Sequence, residues 1–171
     1  MQYQIQKIID ITDDLVEKYD TRDPFEIADQ LDLIVSLTEF RIKLKGLYIY
    51  YQEFSTGCIS VNAALPEYMK IVVCAHELGH DRLHRDLCCG FFPEIESKAF
   101  FGKTEYEANL FASNLLISDD DFLYYAKLGM TREELAAELN TDPNMIDFKA
   151  VILKEKGYNI NLHDCCTLFL K

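Results

Sequence analysis

The sequence predicts an α+β fold: a small antiparallel sheet packed beside a helical core, with a helical cap at the C-terminal end. Three observations predict it. Two β-rich runs separated by a short polar turn lie in the first half of the chain. Apolar residues recur at helical spacing before and after them. Beyond residue 118, the only punctuation is helix starts and stops. At 171 residues the chain is expected to form one domain, 1–171. Its parts are an N-terminal stretch (1–37), a central core (38–118) and a helical C-terminal subregion (119–171).

The elements follow in order. Ile5, Ile8, Ile9, Leu15, Val16 and Tyr19 approximate one stripe of a first helix. Asp23-Pro24 starts a second, with aspartate as the cap and proline in the first helical position; it carries Phe25, Ile27, Ala28 and Leu31. Residues 33–37 (LIVSL) read as a buried strand. Residues 46–51 and 57–61 read as two strands of an antiparallel hairpin. After Pro66, the positions Val72, Ala75, Leu78 and Gly79 recur at helical spacing and mark a buried helix. Glycine costs a helix about 1 kcal/mol against alanine, so Gly79 implies that another backbone comes close there. Gly90 offers a stop.

Residues 105–116 form another amphipathic helix, with Ala108, Phe111, Ala112 and Leu115 on its stripe. Residues 121–127 read as helical, and Asp119-Asp120-Asp121 as a solvated loop, a helix cap or an acidic docking spot. Thr131 and Glu134 make a capping box before Leu135, Ala136 and Leu139. Asp142-Pro143 starts the last helix, which runs through Ile146, Phe148 and Val151 to Gly157. This last pair of helices is expected to be a packing cap and not a DNA reader, because Asp142, Asp147 and Glu155 offset Lys149, Lys154 and Lys156.

The chemistry is concentrated in His76-Glu77-Leu78-Gly79-His80, an H-E-x-x-H motif. On a helix the two histidines lie about 6 Å apart along one face and can reach one cation, while Glu77 lies where it can address a water on that cation. A catalytic zinc site takes a third protein ligand and leaves one position open. Glu105 is favoured for that ligand, since Asn109 shares its helix face and can hold the free nitrogen of a ligand histidine. Glu107 competes for the role; it points elsewhere and is expected to be a solvated carboxylate. His84, four residues beyond His80, either contacts substrate or transition state or serves as a surface or capping residue. The strand Cys58-Ile59-Ser60-Val61 is expected to present a sheet edge that binds an extended substrate by backbone pairing.

These motifs, HELGH with Leu83-His84 and then E-x-E-A-N-x-F-A-x-x-L-L, resemble the ImmA/IrrE family of metallo-endopeptidases. The resemblance is strong over residues 58–116 and weaker over 19–35. It implies a zincin-like core, Zn2+ held by His76, His80 and Glu105, and Glu77 as the general base. It also implies a protein substrate, a DNA-binding helix-turn-helix repressor of a phage or other mobile element. One departure is visible: members often carry a proline soon after the paired leucines, where this chain has Ile117-Ser118-Asp119. Tyr124, Tyr125 and His84 are the candidates for a further oxyanion donor. The same residues also allow a metal-containing regulator that sequesters a repressor without cutting it.

Composition narrows the setting. A net charge of −12 argues against direct nucleic-acid binding and permits a basic partner. No apolar run is long enough to span a membrane. Residues 1–5 do not resemble a secretory signal, so the expected location is cytoplasmic. There, Cys58, Cys74, Cys88, Cys89, Cys165 and Cys166 are expected to be free thiols; the alternative is a second metal site at Cys88, Cys89, Cys165 and Cys166. The tail at 160–171, with His163, suggests no chemistry.

Overall fold

The computed structural model describes the backbone of residues 2–40, 43–88 and 98–160. Gly90, Cys89, His163, Cys165 and Cys166 lie outside them. The order is α1 (Gln2–Tyr19), α2 (Pro24–Gln30), β1 (Ile34–Thr38), β2 (Gly46–Tyr51), β3 (Thr56–Asn62), α3 (Glu67–His84), α4 (Lys98–Leu116), α5 (Asp119–Lys127), α6 (Arg132–Glu138) and α7 (Pro143–Glu155). The local signals formed as expected. The Asp23 side chain accepts from the Phe25 N–H, and Asp142 from that of Asn144. Thr131 and Glu134 complete their reciprocal capping box.

The sheet departs from the expected antiparallel one. Its order is β1-β3-β2, with β2 antiparallel to β3 but β1 parallel to it, in the register Ile34↔Cys58 to Thr38↔Asn62. A tight turn reveals that two strands are neighbours; it carries no information about which of them a third strand joins. As a result β3 is central. Both of its hydrogen-bonding edges are taken, so residues 58–61 cannot offer a free edge to a substrate. The outer edges belong to β1 and β2, and on β2 the Tyr50 N–H already donates to the Cys88 carbonyl at 3.1 Å. β1 was also expected to be buried. Instead Ile34, Ser36, Leu37 and Thr38 are exposed and Val35 is half-buried, on an edge strand that pairs on one side only.

β3 alternates, with Gly57, Ile59 and Val61 buried toward the helices. Ile59 and Val61 join Val72, Ala75 and Leu78 of α3 and Leu110, Phe111 and Leu115 of α4 in one core. α3 and α4 come close together at Gly79. A Cβ there would stand 3.2 Å from the Ala108 Cα and 3.2 Å from Phe111 side-chain atoms. Glycine is tolerated in mid-helix because it sets this approach.

The C-terminal helices are tied to that frame by a buried ionic cluster. Lys149, 1% exposed, donates to Asp119 Oδ1 at 2.6 Å and to Asn114 Oδ1 at 2.8 Å. Lys156 holds Asp119 Oδ2 at 2.8 Å, and Asn114 Nδ2 donates to Thr12 Oγ1 at 2.5 Å. Asp119 is therefore tied into ion pairs rather than sitting in a solvated loop, and the cap of α5 is Ser118. α7 directs Lys149 into the core, and Arg132 of α6 pairs with Asp147, as a packing cap requires.

Burial pulls the Lys149 ammonium down to about 8, although Asp119 works against that shift. Asp119→Ala leaves this cation without its carboxylate and is expected to cost about 3 kcal/mol near neutral pH, measured by urea unfolding. A lysine whose folded pKa lies below its unfolded value binds fewer protons when folded. Its penalty therefore shrinks as pH rises from about 8 toward 10. Without Asp119 the folded value falls further, so the deficit of the variant against wild type should narrow as pH rises toward about 8 and stay level above it.

Candidate metal centre

The histidines of the H-E-x-x-H motif lie on one face of α3, and both Nε2 atoms point to the same place. They stand 3.1 Å from each other. Glu105, crossing above them on α4, brings Oε2 to 3.2 Å from His76 Nε2 and Oε1 to 3.2 Å from His80 Nε2. These donor atoms all lie within 4.8 Å of one another, a set able to hold one metal ion. Two imidazole nitrogens and a carboxylate, with no sulfur, suit zinc and also suit manganese or iron. The groups fit a cation on electrostatic grounds too. Burial lowers the affinity of His76 for a proton, yet hydrogen bonding to Glu105 and the charges of Glu77 and Glu105 outweigh it and raise its pKa. Hydrogen bonds from the same two histidines hold the Glu105 carboxyl far below the usual range. Both shifts describe one property: the centre of the cluster favours positive charge.

Each ring is fixed from behind. Asn109 Oδ1 lies 3.0 Å from His76 Nδ1, where it can accept that nitrogen's proton and free the Nε2 lone pair for a metal ion. Behind His80 stands His84, Nδ1 to Nδ1 at 3.2 Å, and behind His84 stands Glu107, 2.9 Å from its Nε2. The expectation for Glu107 was wrong. It is 6% exposed and hydrogen-bonded to His84, because α3 packs over the face of α4 that sequence periodicity alone assigns to solvent. His84 is likewise no surface residue, at 5% exposed. Burial lowers its pKa, against the pull of Glu107.

Glu77 is 8% exposed and borders the cluster. Burial raises its carboxyl pKa, while His76 and His80 oppose that, Glu105 adds to it, and a hydrogen bond from the backbone N–H of Tyr48 lowers it. A carboxylate raised from its ordinary value is suited to take up and return a proton near neutral pH. The strand β2 comes this close because residue 46 is glycine. A Cβ there would fall 2.4 Å from Val73 Cγ1 and 2.6 Å from Glu77 Oε1.

A second cluster locks Tyr48 in place. Its hydroxyl donates to Asp81 Oδ1 at 2.5 Å. Asp81, fully buried, also takes hydrogen bonds from Arg82 and from Arg85. Burial and then Asp81 push the Tyr48 hydroxyl well above the usual tyrosine range. Glu77 and Asp81, one helical turn apart, therefore grip the backbone and the side chain of one strand residue. The i, i+4 spacing of the two acids was visible in the sequence, but their shared partner was not.

Two clefts meet at the site. One, of about 340 Å³, is lined by Tyr48, His80, His84, Leu87, Cys88 and Thr104 among others. The other, of about 550 Å³, has an apolar side of Met69, Val72, Met145 and Phe148 facing polar groups that include Asn109, Asp142 and Asn144. His76, Glu77, Glu105 and Gly46 border both. Tyr124 and Tyr125 pack edge to face on α5 and line neither cleft. Cys58, Cys74 and Cys88 are free thiols, and burial raises the pKa of Cys74. The other three cysteines lie outside the described residues, so a four-cysteine site has no structural account here. Among the described residues, no helix is long and apolar enough to cross a membrane.

Comparison with known proteins agrees with this geometry. A family model described as the IrrE N-terminal-like domain, peptidase M78, matches residues 30–150. The chain is 32% identical over 124 residues to the uncharacterized immunity region protein 2 of Bacillus phage phi105, covering 71% of this chain and 75% of that one. It is 30% identical over 139 residues to metallopeptidase ImmA of Bacillus subtilis strain 168, covering 79% of each.

Removing Glu105 as Glu105→Ala leaves two nitrogen ligands and should abolish tight zinc binding. Asn109→Ala keeps the ligand set but frees the His76 ring, and should weaken binding about 10- to 100-fold. Competition against a chromophoric chelator measures both.

Proposed function

The chain belongs to the IrrE N-terminal-like metallopeptidase family, and from that premise we propose that it is a zinc-dependent endopeptidase acting in the cytoplasm on a DNA-binding repressor. The observation that carries the catalytic reading is the convergence of His76, His80 and Glu105 on one point, with the Glu77 carboxylate beside it. The bound cation supplies Lewis acidity, polarising a peptide carbonyl and acidifying a water. All the rest falls to the chain. His76, His80 and Glu105 would hold the ion, with their outer atoms fixed by neighbouring side chains. Glu77 takes a proton from the water at its carboxylate and returns it to the departing amine. The Tyr48 N–H fixes Glu77 while it does so.

The substrate lies extended across the two clefts, with the scissile bond where they meet. The outer edge of β2, and not β3, is the strand edge beside the site, since Gly46 and Tyr48 border it. Substrate identity is supported from outside the site. One relative is named for a phage immunity region, and the net charge of −12 favours a basic protein partner. No direct nucleic-acid contact is proposed.

A co-encoded repressor incubated with the purified protein should be cut, and chelator should stop the cutting. Glu77→Gln should keep its zinc and lose about 10²- to 10⁴-fold in cleavage rate on the same gel assay. Cleavage by that variant at the wild-type rate would exclude Glu77 as the base. A stable, uncut complex in every lane would mark a sequestering protein instead.

A further inference from the structure

We propose that His84 and Glu107 act as a positioning relay for His80, so that α4 orients both ligand imidazoles, one directly and one through an intermediate ring. The inference rests on the metal-site reading above and extends it to two residues outside the ligand set. The geometry is a single file. Glu107 Oε2 lies 2.9 Å from His84 Nε2, and His84 Nδ1 lies 3.2 Å from His80 Nδ1. An ionised carboxylate can only accept, so His84 carries its proton on Nε2. A neutral imidazole then has a lone pair on Nδ1, which can only accept from His80 Nδ1–H. His80 is left with a lone pair on Nε2, the atom that faces His76 Nε2 and Glu105.

His76 reaches the same state by a shorter route, through the amide oxygen of Asn109. The two routes differ in character. The Asn109 contact is neutral and direct. The Glu107 route ends in a buried charge and passes through a buried ring, with Lys103 the cation nearest its far end at 3.6 Å from Oε1. Glu105, Glu107 and Asn109 occupy successive alternate positions of α4. One short segment of helix thus provides a ligand and the supports of both other ligands. His84 and Glu107 touch neither cation nor substrate in this assignment, which makes them positioning residues.

The test is metal affinity and cobalt spectroscopy on the intact chain. His84→Phe keeps a buried ring of similar size without the acceptor, and Glu107→Gln keeps an acceptor without the charge. The relay predicts zinc affinity about 10- to 100-fold weaker in His84→Phe, a smaller loss in Glu107→Gln, and a double variant no weaker than His84→Phe. The visible absorption of the cobalt-loaded protein should change in the same order, while the metal-free proteins unfold cooperatively. Glu107→Gln is nearly isosteric and keeps the test decisive if the phenylalanine variant does not fold. Affinities and cobalt spectra equal to wild type in a folded variant would overturn the relay alone. A wild-type chain that takes up no zinc would overturn the site and the relay together.

Discussion

The contact between α3 and α4 at Gly79 is the constraint on which the rest depends. α3 carries His76, His80, His84 and Glu77; α4 carries Glu105, Glu107 and Asn109. Neither helix makes a site. Because a Cβ at residue 79 would stand only 3.2 Å from Ala108 and Phe111 atoms, glycine lets the helices cross near enough for short side chains to bridge them. A carboxylate meets two ring nitrogens, an amide meets a third, and a second carboxylate meets His84. The apolar layer beneath, with Leu78, Phe111 and Leu115 fully buried, holds that distance while the polar atoms do the chemistry.

Buried charge is distributed along the same lines. Asp81 is ion-paired with Arg82 and Arg85, Lys149 with Asp119, and Glu107 with Lys103 while it also holds His84 by a hydrogen bond. Groups paired in this way fix geometry and leave their protons where they are. Glu77 is treated differently, with a backbone N–H from Tyr48 on one side and the imidazoles on the other. It is the buried carboxylate placed to exchange a proton. The Asp81–Tyr48 bond is therefore part of the site, although it lies outside it: it holds the strand that holds the base.

Much of this was legible before any coordinates. Local signals read correctly because they are local: the caps at Asp23, Thr131 and Asp142, the hairpin between β2 and β3, and the i, i+4 pair His76 and His80. The motif pair also led to Glu105 over Glu107, and the structure brings Glu105 to the imidazoles. What was missed depends on packing. Glu107 looked solvent-facing, since periodicity identifies one apolar stripe and cannot show a second helix covering the adjacent face. Residues 58–61 looked like an edge, since nothing in a strand's own residues says how many neighbours it has. Asp119 looked like a surface acid, since its partners Lys149 and Lys156 come from a helix about thirty residues later. His84 was recognised as notable without its role, which requires knowing that Glu107 stands behind it.

X-ray absorption at the zinc edge of the metal-loaded protein tests the central claim most directly, because it reads the atoms around the ion without reference to activity. Coordination by His76, His80 and Glu105 predicts only nitrogen and oxygen neighbours at about 2.0–2.2 Å, with outer-shell scattering from two imidazoles. Sulfur neighbours at about 2.3 Å, or fewer than two imidazoles, would place the metal elsewhere and contradict the site described for this chain.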